Sequence, residues 1–168
     1  NPAPFSGALA HQSTLLSGLH QHYFINATAG LSVAVGDTLF AYVYLDPANP
    51  PREMMLHWND GTWEHAAYWG ENLIGWGTDG TVSRRYMGPL PAAGQWVRLA
   101  VPASQVGLED HTLNGMAYTL YDGRATWDQA GKAAVAASTN VTIAVWRPST
   151  ARFFIDVDFD HNADQNVY

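Results

Sequence analysis

Five aromatic residues, Trp58, Trp63, Tyr68, Trp69 and Trp76, fall within 19 positions of this chain. Polar side chains are interleaved with them or follow closely, among them Glu64, His65, Asp79, Arg84 and Arg85. An aromatic ring offers a flat apolar face to the C–H side of a sugar, and planar polar groups hydrogen-bond its hydroxyls. The spacing therefore points to a glycan site. Stacking would come from Trp58, Trp63, Tyr68, Trp69 or Trp76, and orientation from Glu64, His65, Asp79 and the Arg84-Arg85 pair. The competing expectation is that these rings fill a core, since aromatics dominate core burial. The two arginines end a Gly-rich stretch. They could fork onto a carboxylate such as a uronic acid, or form a structural ion pair with Asp79 or Glu71.

Three further groupings carry chemical potential. Asp156, Asp158, Asp160 and Asp164 stand at relative positions 1, 3, 5 and 9, the front of a calcium loop built from hard oxygens. His161 occupies the place of the turn glycine and Val167 that of the closing glutamate, which excludes an EF-hand and leaves a shorter Ca2+ loop or a solvated acidic tail. His57 and Glu64 face each other if the intervening hairpin has a two-residue turn, giving an acid–base pair or a bland contact. His20 and His22 share one strand face and could chelate a metal, but no third ligand is identifiable. The chain has no G-x-S-x-G, no H-E-x-x-H and no phosphate-cradling glycine loop.

The elements that must position these groups read as β-strands. Residues 38–45 (TLFAYVYL) are β-formers, apolar on both faces, as expected of a central, covered strand. The runs 54–59 and 62–69 flank Asp60-Gly61, a strong hairpin signal. Alternation then sorts Met54, Leu56, Trp58, Trp63, His65, Ala67 and Trp69 to one face, the more apolar, and Met55, His57, Asn59, Thr62, Glu64, Ala66 and Tyr68 to the other. Residues 70–91 form a long glycine-rich loop, and 94–102 a strand. Residues 113–120 and 124–128 suggest a second hairpin around Asp122-Gly123, and 140–146 with 152–157 a third. Residues 8–19 could make a short helix or stay irregular.

Composition narrows the class. The chain has 168 residues, a formal net charge of −7 and a single lysine, Lys132. A nucleic-acid binder needs a basic face, so that class is disfavoured. Cysteine is absent, which removes disulfides, thiolate metal sites and cysteine catalysis. No apolar run is long enough to span a membrane. Charged residues are only 14% of the chain, while seven Trp, eight Tyr and six Phe are present. Few charges, many turns and many aromatics suggest an all-β extracellular domain. The start at Asn1-Pro2 reads as a mature or excised piece of a larger polypeptide.

The stretches GDTLFAYVYLDPANPPREMMLHWNDGTWEHAAYWG, MGPLPAAGQWVRLAVPASQVGL and TLNGMAYTLYDGRATWDQAGK resemble a lectin-like or carbohydrate-binding-module-like accessory module of large secreted bacterial proteins. The tail VWRPSTARFFIDVDFDHNAD resembles the opening of an FG-GAP or VCBS-like repeat, whose acidic loop binds calcium. The resemblance implies an all-β, antiparallel β-sandwich (jelly-roll or lectin-like) with little helix, over residues 1–135. Residues 136–168 would be a linker with a hairpin and acidic loop, either the last strands of the sandwich or the start of a neighbouring repeat. It further implies a secreted or cell-surface monomer that binds a polysaccharide or oligosaccharide without catalysis and tethers a larger parent polypeptide. Two alternatives remain: a structural or protein-interaction (adhesin or spacer) module, and a small glycan hydrolase or lyase.

Overall fold

Alternation of apolar side chains along the strands, interrupted by glycine turns, builds two sheets with one core between them. The computed structural model describes residues 2–134 in full and the backbone of 143–146, 153–156 and 165–167. Its strands are β1 (His11–Gln12), β2 (Leu19–Phe24), β3 (Leu31–Ser32), β4 (Thr38–Leu45), β5 (Glu53–Asn59), β6 (His65–Gly70), β7 (Arg85–Tyr86), β8 (Trp96–Pro102), β9 (Thr112–Leu113), β10 (Gly115–Tyr121), β11 (Ala125–Ala133), β12 (Ile143–Trp146), β13 (Phe153–Asp156) and β14 (Gln165–Val167). One 3-10 turn, Ala103–Val106, is the only helical element among the described residues. No helix there is long and apolar enough to cross a membrane.

One sheet has the order β1-β11-β4-β8, with β12 also along β11; the other runs β14-β13-β2-β10-β5-β6-β7. A small β3-β9 pair stands apart. Among the described strands, all pairings are antiparallel except β6–β7. Leu39, Ala41, Val43 and Leu45 of β4 meet Met54, Leu56 and Trp58 of β5 and Met116, Tyr118 and Leu120 of β10 in the core between the sheets. Burying each such side chain is worth about 1.5–3 kcal/mol. The molecule is thus the all-β antiparallel sandwich that its composition and patterning suggest.

Several local expectations change. The first hairpin forms, but Trp58 pairs with His65 and His57 with Ala66, so His57 does not face Glu64. The turn is longer because Asn59 Oδ1 accepts the Gly61 N–H and Asp60 Oδ1 the Thr62 N–H, holding residues 59–62 in tight side-chain-capped turns. Each partner moves by two residues, an even shift, so His65, Ala67 and Trp69 keep the face of Trp58 and Ala66 and Tyr68 that of His57, while Trp63 and Glu64 pass into the turn. The second hairpin does not form. β10 has both edges taken, by β2 and β5, so the chain after Tyr121 crosses to the other sheet as β11. Likewise β12 joins β11 while β13 joins β2, rather than pairing with each other. No helix forms over 8–19, where β1 pairs with β11.

Candidate functional site

The ten residues expected to bind a ligand divide among four places. Trp58 and Trp69 lie in the core, 2% and 7% exposed, so neither ring is free to stack on a sugar. Core burial accounts for them, as alternation on the apolar face of the β5–β6 hairpin requires. Trp63 stands at the turn, half-buried, edge-on to Tyr23 with ring centroids 6.0 Å apart. Glu64 beside it is exposed. His65 Nδ1 lies 2.7 Å from the Val106 carbonyl, and its Nε2 lies 3.4 Å from Asp60 Oδ2.

The structure brings Tyr68, Trp76, Asp79 and Arg84 together on the outer face of the seven-stranded sheet. Tyr68 donates its hydroxyl to Asp79 Oδ1 at 2.9 Å, and Asn72 reaches Asp79 Oδ2. Burial, then the Asp79 carboxylate, push the Tyr68 phenol up to about 12, so it stays a neutral donor. Arg84 donates to the Ile74 carbonyl and lies 3.9 Å from Asp79, which is the ion-pair alternative for this arginine. Arg85 turns away to the Gln105 carbonyl, and Glu71 pairs with Arg52 instead. The loop carrying these groups is pinned by Glu53, fully buried on β5, whose Oε2 accepts the N–H groups of Leu73 and Ile74. Trp76 covers His57, with ring centroids 5.6 Å apart.

The second aromatic surface escaped the sequence reading. β4 is central, as expected, but its outer face is only partly covered. In register across the five-stranded sheet stand Gln12, Thr126, Tyr44 and Trp96, one from each of β1, β11, β4 and β8. Tyr44 and Trp96 are half-buried, with centroids 5.8 Å apart. Beside them a cavity of about 200 Å³ is lined by Pro2, Gln12, Tyr44, Asp46, Pro47, Arg124 and Thr126. Arg124 holds Asp46 with Nε and Nη2 at 2.9 and 2.5 Å. Burial opposes ionisation of Asp46, but the Ala48 N–H and the Arg124 guanidinium outweigh it and keep the carboxyl below its usual range. Gln12 donates to Thr126 Oγ1 at 2.9 Å. The signal was present: Phe40, Tyr42 and Tyr44 alternate along one face of TLFAYVYL.

Of the expected calcium ligands, Asp158, Asp160 and Asp164 lie outside the described residues, as does the side chain of Asp156. His20 and His22 do share a face of β2, but it is the buried one; His22 stacks on Tyr118 at 5.1 Å and meets His11 at 4.0 Å. Fold and site together define a two-sheet, all-β domain with partly exposed aromatic surfaces on both outer faces. Comparison with family models, curated proteins and solved structures gives no match to this chain.

Proposed function

We propose that this domain is a noncatalytic carbohydrate-binding module that tethers a larger secreted or cell-surface protein to a glycan. The observation that carries the reading is the Tyr44–Trp96 rung beside a polar cavity. The two rings supply apolar faces for the C–H side of a sugar, while Gln12, Asp46, Arg124 and Thr126 supply donors and acceptors for hydroxyls. The cavity suits one sugar unit, with neighbouring units running along the sheet face. Stacking contributes about 1 kcal/mol per ring beyond area, so a single module binds in the micromolar to millimolar range. Trp76, Tyr86 and Arg84 on the opposite outer face offer a second, smaller surface of the same chemistry.

One observation favours a protein-interaction module instead. Phe5 of the same chain stacks on Tyr42, so this sheet face already accepts a polypeptide side chain.

The test is affinity electrophoresis through gels containing neutral or acidic polysaccharides, with and without Ca2+. Wild type is expected to be retarded by one glycan class, and Tyr44→Ala and Trp96→Ala to lose that retardation while remaining folded at the temperature of the gel. Loss on Trp76→Ala or Arg84→Ala alone would move the site to the seven-stranded sheet. Free migration through the whole panel would overturn glycan binding in favour of the interaction module. The Ca2+ arm reads the acidic tail independently.

A further inference from the structure

The end of the β5–β6 hairpin holds a cluster that the Tyr44–Trp96 glycan site does not use. Asp60 in the turn, His65 at the start of β6 and His111 before β9 bring one carboxylate oxygen and two imidazole nitrogens within 4.8 Å of one another. Their arrangement is directional. His65 Nδ1 lies 2.7 Å from the Val106 carbonyl, an acceptor only, so Nδ1 must carry the proton and donate it. In the neutral ring that leaves the lone pair on Nε2, which lies 3.4 Å from Asp60 Oδ2. Two acceptors this close are held together by a proton or a metal ion shared between them, so the pair is a site where a metal can take the proton's place. A backbone carbonyl fixing the far nitrogen of an imidazole is the support that metal-ligating histidines use.

The carboxylate is held in the same way. Asp60 Oδ1 accepts both the N–H and the hydroxyl of Thr62, each at 3.2 Å, which leaves Oδ2 to face the two rings. His111 Nδ1 lies 2.6 Å from that oxygen. Zinc bonds N and O ligands at about 2.0–2.1 Å, so two ligand atoms on a tetrahedron lie about 3.3 Å apart. The His65–Asp60 separation already has that length. The His111–Asp60 separation is a hydrogen bond that must open by about 0.7 Å on the same tetrahedral edge. His111 can make that movement, because its side chain is 43% exposed, whereas Asp60 and His65 are 13% and 12% exposed.

We propose that Asp60 Oδ2, His65 Nε2 and His111 Nδ1 bind one divalent transition ion of the zinc type. Two imidazoles and one carboxylate suit Zn2+, Ni2+ or Cu2+. They do not suit Ca2+, which gathers six to eight oxygens. Three protein ligands leave a fourth position open on the exposed His111 side, for water or an outside donor. The ion also closes a loop between residues 60 and 111, clipping the hairpin turn to the segment that follows the 3-10 turn. This site stands independently of the glycan reading.

The test is calorimetric titration of the chelator-stripped 168-residue chain with ZnCl2, and separately with CaCl2. One Zn2+ per chain is expected, with a dissociation constant in the micromolar range or tighter, and no saturable Ca2+ binding attributable to these residues. His111→Ala is the primary variant, since its exposure spares the fold; it should weaken Zn2+ binding at least tenfold. Asp60→Asn, which keeps an oxygen for Thr62, should do the same. Co2+ in place of Zn2+ should give the strong visible bands of a tetrahedral ion in wild type and lose them in His111→Ala. Absence of Zn2+ binding in wild type, or binding unchanged in both variants, overturns the proposal.

Discussion

Phe5 lies flat on Tyr42, ring centroids 3.8 Å apart and planes 18° from parallel. Residues 3–6 are laid over the outer face of the five-stranded sheet by this stack and by two hydrogen bonds, Trp96 Nε1 to the Ala3 carbonyl and the Ser6 N–H to Asp128. Phe5 remains 43% exposed. A half-exposed stacked pair is worth about 0.5–1.5 kcal/mol beyond its area. Phe5→Ala should therefore lower stability by about 1–2 kcal/mol in urea denaturation, without loss of fold, and increase quenching of Trp fluorescence by iodide. A loss above about 4 kcal/mol would mean that the ring belongs to the core instead.

Trp58 and Trp63 are five residues apart and should respond very differently to truncation. Trp58 is fully enclosed between the sheets. Trp58→Ala should cost about 3–5 kcal/mol, through lost transfer energy and the cavity left behind. Trp63 is half-buried at the turn, with Tyr23 as an edge contact. Trp63→Ala should cost about 1 kcal/mol. Chemical denaturation of both variants checks this, and equal losses would contradict the placement of the β5–β6 hairpin.

How much of this was legible in the sequence depended on which property was asked. The faces of the paired residues of the β5–β6 hairpin were legible because alternation survives an even register shift, whereas Trp63 and Glu64 were assigned faces but stand in the turn. Its turn length was not, because two successive capped turns at Asn59 and Asp60 look like a simple Asp-Gly signal. The crossing after Tyr121 was hidden for a topological reason: no local pattern records that both edges of β10 are already occupied by β2 and β5. Tyr42 and Tyr44 showed their shared face but not its exposure, which depends on what the distant residues 3–6 and 96–98 cover. His65 was singled out for its neighbours in sequence. Its working partners are Asp60 nearby and His111, brought to it only by the fold.

Gly123 makes the sheet-to-sheet crossing possible. Its φ is +69°, and a Cβ there would lie 2.6 Å from the Asn49 carbonyl oxygen and from the backbone of Pro50 and Pro51. Neither the dihedral nor the contact can relax without moving the 46–51 turn. Gly123→Ala should destabilise by about 3 kcal/mol or more, combining left-handed strain with backbone overlap. Gly61, at φ +118° but facing open space, provides the contrast. Gly61→Ala should cost only the dihedral strain, about 1–3 kcal/mol. Thermal melts of the two variants measure the difference.

Burial of His11 and His57 couples the stability of the fold to pH. Burial lowers both imidazoles to about 4, and it lowers His20 and His22 as well. In the unfolded chain each titrates near 6.5. Between pH 6.5 and 4 the unfolded chain therefore binds protons that the folded one refuses. Stability is fully present above that window and falls as the pH drops through it. Each such histidine contributes about 1.4 kcal/mol per pH unit, so His11 and His57 alone give a slope of about 2.7 kcal/mol per unit. Over two units that loss is of the same order as the whole stability of a typical domain, about 5–15 kcal/mol. Urea denaturation at pH 7, 6 and 5 should show the midpoint dropping steeply, and the protein should unfold between about pH 4 and 5. His57→Leu, which keeps an apolar group beneath Trp76, should reduce the slope by about 1.4 kcal/mol per unit. A stability that stays level from pH 7 to 5 would mean that these imidazoles accept protons inside the folded protein, and so that His57 is not enclosed as the sandwich places it.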